Sequence, residues 1–133
     1  MPTGGSQTMG AAFVYQPGGK MDIKELTERM HSFVRSKGWY ESSSKRPQTP
    51  RNLAISLSLE ANEVLEHFQW REDLVDKDEL SAELADVALY LLQLASVSDI
   101  DLEGAILNKL DRNASRQWDT DVSTLKHRKT RDG

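Results

Sequence analysis

The chain contains no cysteine among its 133 residues, which excludes disulfides and thiolate-bound metal. It shows no apolar run near the roughly 18–20 residues that span a bilayer. Its first residues carry no basic stretch leading into an apolar core, so no secretion signal is expected. A positive excess is missing too. The net charge is −4, which gives no general attraction to nucleic acid polymers or to anionic membranes. The expected location is the cytoplasm, with which the absence of cysteine is compatible. With 38% hydrophobic and 29% charged residues, the length suits one soluble domain with a modest core.

The residues that remain read as helices. Residues 1–20 are rich in Gly, Ser, Thr and Pro, with Phe13, Val14 and Tyr15 as one apolar cluster. A flexible tail or an appended remnant is expected there, with Met21 as a natural start; docking of Phe13–Tyr15 on a neighbouring subunit is the alternative. Asp22, with Glu25 three residues on, caps a first helix carrying Ile23, Leu26, Met30, Phe33 and Val34, and His31 reads as an ordinary residue of it. That helix runs to about Lys37 and stops at Gly38. Trp39, Tyr40 and a polar loop from Glu41 to Thr49 follow, and Pro50 suits the first turn of the next helix.

That second helix, Arg51 to Trp70, spans about five turns. Leu53, Leu57, Val64 and Phe68 form its core stripe, yet Glu60 stands in the stripe and Glu63 at its edge. A carboxylate aimed at a core needs a positive partner. A third helix, capped by Asp78 and ending near Val97, repeats the oddity. Leu80, Leu84, Val87, Leu91 and Leu94 form its stripe, flanked by Glu83, Asp86 and Tyr90. Each helix thus presents two acids at i and i+3, on one side. Packed as an antiparallel hairpin, the helices bring four carboxylates together, an arrangement that repels strongly without cations. A fourth helix, capped by Asp101 and running to about Gln117, carries Leu102, Ile106, Leu107 and Leu110. The expected class is all-α, with the domain over residues 21–118 and a polar, basic tail over 119–133.

Four carboxylates without cysteine make a hard, oxygen-rich set that suits Mg²⁺, with Mn²⁺ able to substitute, rather than zinc or copper. A di-iron bundle would need Glu-x-x-His on two helices; His67 follows Glu63 by four residues, and the third helix has no histidine. Magnesium commonly completes its shell with substrate phosphates, so the acids point to phosphate chemistry on a nucleotide. On the fourth helix, Lys109, Asn113 and Arg116 stack on one side, where cations and an amide can hold phosphate oxygens. Acid pairs on solvated faces and a basic strip favoured by the helix dipole are the plain alternatives.

Together, Arg51-Asn-Leu, Glu60-x-x-Glu63, Phe68-Gln-Trp70, Glu83-x-x-Asp86-Val and Lys109-x-x-x-Asn113-x-x-Arg116 resemble the MazG-like all-α nucleoside triphosphate pyrophosphohydrolases. The Arg-Asn-Leu start and the Phe-Gln-Trp end resemble the dCTP pyrophosphatase and integron-associated branch, and the likeness covers about residues 22–118. It implies a four-helix bundle completed by homodimerisation, or by a dimer of dimers. It also implies Mg²⁺-dependent cleavage of a nucleoside triphosphate to monophosphate and pyrophosphate. Glu60, Glu63, Glu83 and Asp86 would ligate metal, with Glu63 a candidate base. Lys109, Asn113 and Arg116 would handle phosphates. Trp39, Trp70, Tyr90 and Arg51 would meet the nucleoside, although Arg51 could equally hold the loop to its helix. Some relatives have a second acid directly after the first glutamate, where this chain has Ala61. A dUTP or phosphoribosyl-ATP pyrophosphatase, or a silent bundle that binds metal and nucleotide, stands as the competing expectation.

Overall fold

The computed structural model describes residues 18–73 and 76–117, and the regular structure among them is entirely helical. The helices are α1 (Ile23–Ser36), α2 (Pro50–Glu66), α3 (Lys77–Val97) and α4 (Leu102–Ser115). The expected class and helix order hold for these residues. The readings of Phe13–Tyr15 and of the basic tail lie outside them.

Local chemistry sets the helix ends. At α1, Asp22 accepts from the Glu25 N–H at 2.8 Å while Glu25 accepts from the Asp22 N–H at 3.2 Å, a complete capping box. Gly38, at φ 70°, ends α1 in the left-handed region that glycine enters without penalty. The Trp39 N–H then bonds the Val34 carbonyl at 3.3 Å, a Schellman closure that places Trp39 against the end of its own helix. Thr49 caps α2 and Pro50 occupies its first turn.

Three boundaries differ from expectation. Asp76 caps α3 instead of Asp78, accepting from the Glu79 N–H at 3.0 Å. Asp78 instead falls in the first helical turn, where its charge suits the dipole. Helix α2 stops at Glu66 rather than Trp70, because residues 68–71 take i→i+3 bonds such as Phe68 N–H to Leu65 C=O at 3.0 Å. That tighter turn leaves Trp70 87% exposed. Helix α4 likewise ends slightly early, with Arg116 in extended conformation.

The core lies where α1, the first half of α2 and the last third of α3 meet. It is built from Met30, Val34, Leu53, Leu92 and Ala95. The expected stripe on α3 is split: Leu80, Val87 and Leu94 are half-buried, while Leu84 and Leu91 are exposed. Leu92, Gln93 and Ala95 take the buried positions instead. Helix α3 is long and apolar enough to cross a membrane by length and composition alone. Glu83 and Asp86 stand within it, and α1, α2 and α4 all pack on it. Helix α4 leans on α3 and leaves Ile106, Leu107 and Leu110 exposed.

Candidate active site

Helices α2 and α3 form the most extensive packing in the fold, joined by a short connection that makes them antiparallel neighbours. Leu53 and Ser56 share a cleft with Tyr90 and Gln93, whereas the later Glu60 meets the earlier Glu83 and Asp86. One carboxylate oxygen from each of those three acids lies within 4.8 Å of the others. Glu63 is within hydrogen-bonding reach of both Glu60 and Glu83. The i, i+3 spacing on each helix thus brings Glu60, Glu83 and Asp86 together, with Glu63 beside them.

The cluster is electrostatically strained. Glu60 is pushed up from 4.5 to about 7, first by burial, then by its hydrogen bond with Glu63 and the charges of Glu63, Asp86 and Glu83. Glu83 is also raised, chiefly by its hydrogen bond with Glu63, then by burial and the Glu63 charge; the nearby His67 opposes the rise. His67 Nε2 lies 3.9 Å from Glu83 Oε1. Glu60 Oε2 and Glu83 Oε2 are buried without a hydrogen-bond partner. Orphaned, mutually repelling carboxylate oxygens fit a hard divalent cation, and they lack the soft or nitrogen-rich donors that zinc or copper prefer.

Two clefts flank the acids. The larger, about 1170 Å³, is bordered by Asp86, Tyr90 and Trp39 and carries the cations Lys20, Arg29, Lys45 and Arg46. Trp39 is fixed within it: Phe33 meets its ring edge-on at 5.7 Å, and the Arg46 guanidinium lies over the ring at 5.6 Å. The smaller cleft, about 510 Å³, is bordered by Glu63, Glu83, His67, Trp70 and Arg71. Asp86 thus borders the larger cleft and Glu63 and Glu83 the smaller, while Glu60 lines neither.

The structure brings Trp39 and Tyr90 to one cleft and leaves Trp70 at the other. Arg51 is exposed in the first turn of α2 and lines neither. It is Asn52 that ties the loop to α2, donating to the Pro47 carbonyl at 2.9 Å. Lys109 is exposed on α4 and Asn113 half-buried. Arg116 is half-buried with Nη1 enclosed and unpartnered. None of the three lines either cleft.

Sequence reasoning missed several contributors. Lys45, Arg46 and Gln48 lie in the 41–49 loop, where no periodicity marks an inward side chain. Gln93 sits among leucines, and at 3% exposure it is the buried polar residue of the core. His31 is more than an ordinary helix residue, since it bridges Tyr40 and Ser96 at 2.6 and 2.7 Å.

The site is thus an all-α hairpin that gathers carboxylates beside a cation-rimmed aromatic cleft. Residues 55–127 match the MazG-like family. Over 124 residues the chain is 32% identical to human dCTP pyrophosphatase 1, covering 86% of this chain and 69% of that one. The mouse protein of the same name is 32% identical over 102 residues, covering 69% of this chain and 57% of its own length. A solved pyrophosphatase structure from Archaeoglobus fulgidus superposes with a TM-score of 0.61 at 32% identity, covering 76% of this chain and 94% of that one. The chain belongs to the MazG-like family, in its dCTP pyrophosphatase branch. It is a nucleoside triphosphate pyrophosphohydrolase.

Proposed function

We propose that the enzyme hydrolyses a deoxynucleoside triphosphate, dCTP or a base-modified relative, between the α and β phosphates, releasing monophosphate and pyrophosphate. The observation that carries this reading is the convergence of Glu60, Glu63, Glu83 and Asp86, with two buried partnerless oxygens, at the edge of a cleft holding Trp39 and four cations. The names of the relatives support the choice of dCTP.

In this reading the four acids hold Mg²⁺, which when bound supplies Lewis-acid polarisation and charge neutralisation at the phosphates. Trp39 and Tyr90 wall the base, and Arg46 holds the Trp39 ring in place. Lys45 and Arg46 draw the polyanion to the cleft. Glu63, poised between Glu60 and Glu83, takes the proton of the attacking water. Arg116, whose buried Nη1 has no partner, offers a donor to phosphate oxygens from α4, together with Lys109 and Asn113. The working unit is a homodimer, which covers the exposed Ile106, Leu107 and Leu110 of α4. The role is removal of surplus or modified deoxynucleotides from the pool.

The test is pyrophosphate release from a panel of canonical and modified dNTPs and NTPs, with Mg²⁺ and with EDTA. Metal-dependent release with a preferred deoxynucleotide supports the proposal. Turnover of phosphoribosyl-ATP alone, or of nothing, overturns it.

A further inference from the structure

A directional chain of hydrogen bonds runs beside the large cleft. Gln48 and Gln93 both line that cleft. Gln48 Nε2 bonds the backbone carbonyl of Arg46 at 2.7 Å. A carbonyl can only accept, so the amino group of Gln48 must face it, and Gln48 Oε1 must face Gln93. Gln93 Nε2 accordingly donates to Gln48 Oε1 at 2.8 Å. It also donates to the Tyr40 hydroxyl at 3.2 Å. The Tyr40 hydroxyl is in turn hydrogen-bonded to His31 Nδ1 at 2.6 Å, and His31 Nε2 to Ser96 Oγ at 2.7 Å. Burial, followed by the Arg35 charge, lowers the His31 pKa and favours the neutral imidazole. The orientations of the Gln48 and Gln93 amides both follow from one obligate acceptor.

The consequence falls on Gln93. An amide has two N–H donors and one carbonyl acceptor. Both donors are committed, to Tyr40 and Gln48. What Gln93 has left for a ligand in the cleft is its oxygen.

We propose that Gln93 is a specificity-determining residue of the nucleoside cleft, its Oε1 accepting a hydrogen bond from the exocyclic amino group of the base. Tyr40, His31 and Gln48 are positioning residues that keep the amide from turning over. The site then favours amino-bearing bases, cytosine and adenine, over keto-bearing uracil and thymine, whose carbonyl would meet the amide oxygen lone pair to lone pair. This inference rests on the dNTP pyrophosphohydrolase reading above. It assigns the discrimination to a residue that the motif set does not contain.

The experiment compares kcat/KM for dCTP, dUTP and the triphosphate of 2-pyrimidinone deoxyriboside, which lacks the amino group. Wild-type enzyme should prefer dCTP to each of the other two by about 10- to 100-fold, the range for one buried hydrogen bond made or left unpaired. In Gln93→Met, which keeps the length of the side chain but removes the acceptor, both ratios should collapse to within about 3-fold of unity. Tyr40→Phe leaves Gln93 in place and frees one amide proton. It should lower the dCTP-to-dUTP ratio by about 5-fold or more, because one of the two contacts that hold the amide is then lost and only the Gln48 contact remains. It also serves as the deciding variant if Gln93→Met fails to fold, as judged by circular dichroism.

Ratios that stay within about 2-fold of wild type in the folded variants would show that the glutamine only supports the core, and the proposal would fall. Wild-type preference for dUTP would overturn it as well while leaving the enzyme reading intact. Absence of pyrophosphate release from every triphosphate would instead overturn the enzyme reading itself.

Discussion

Replacing Glu60 by glutamine should stabilise the metal-free protein at neutral pH, which is unusual for a substitution at a half-buried position. Glu60 is raised from 4.5 to about 7 because burial and three neighbouring acids oppose its charge. At about 1.4 kcal/mol per pKa unit the shift corresponds to roughly 3 kcal/mol. Solvent screening at a half-buried site brings the expected figure to about 1–2 kcal/mol. The sign follows from the proton balance. Below about pH 4.5 the carboxyl is protonated both folded and unfolded, and Glu60→Gln changes little. Between about 4.5 and 7 the unfolded chain releases its proton first, so wild-type stability falls relative to the variant. Above about 7 the full gap is present. In melts at fixed protein concentration without divalent ions, Glu60→Gln should gain about 4–8 °C over wild type at pH 8 and nearly nothing at pH 4.5. Adding Mg²⁺ at pH 8 should reverse the order, since a cation at 100 times its Kd stabilises by about 2.7 kcal/mol and the variant binds it more weakly. A Glu60→Gln protein that melts lower than wild type at pH 8 without metal, or by the same margin at both pH values, would refute the reasoning.

Three other outcomes follow. Leu53→Ala, at a side chain 1% exposed, should cost about 3 kcal/mol in urea unfolding through lost burial and the cavity left behind. Asp99 sits at φ 56° where α3 ends, with Ile100 N–H closing on the Ala95 carbonyl at 2.9 Å; Asp99→Gly should therefore add about 0.5–1 kcal/mol in the same assay. If Ile106, Leu107 and Leu110 form the proposed dimer face, Leu110→Glu on α4 should give a monomer in light scattering where the wild type gives a dimer, with helical content in circular dichroism retained.

The acid cluster was legible because helical periodicity turns i, i+3 spacing into direction, and two such pairs on consecutive helices can only meet if the helices form a hairpin. Trp39 was legible for a similar reason, since Gly38 marks the turn that places it. The loop was not. Arg46 and Gln48 face the cleft through a chain of contacts with Trp39 and Gln93 that no local pattern encodes. Gln93 itself sits in a leucine-rich segment where one glutamine reads as a solvent position, and only the packing of α3 on α1 and α2 shows it to be buried. The end of α2 was misplaced because Phe68-Gln-Trp70 continues the apolar spacing, whereas the backbone tightens one turn earlier and turns Trp70 outward.

The central claim is that this site cleaves a nucleoside triphosphate between its α and β phosphates using the α2–α3 acids. Phosphorus NMR of dCTP turnover, with Mg²⁺ and wild-type, Glu63→Gln or Asp86→Asn enzyme, tests it most directly. The account predicts equal amounts of dCMP and pyrophosphate from wild-type enzyme, none with EDTA, and a rate at least about 100-fold lower in either variant. Orthophosphate with dCDP as products, or turnover that survives both substitutions, would contradict it.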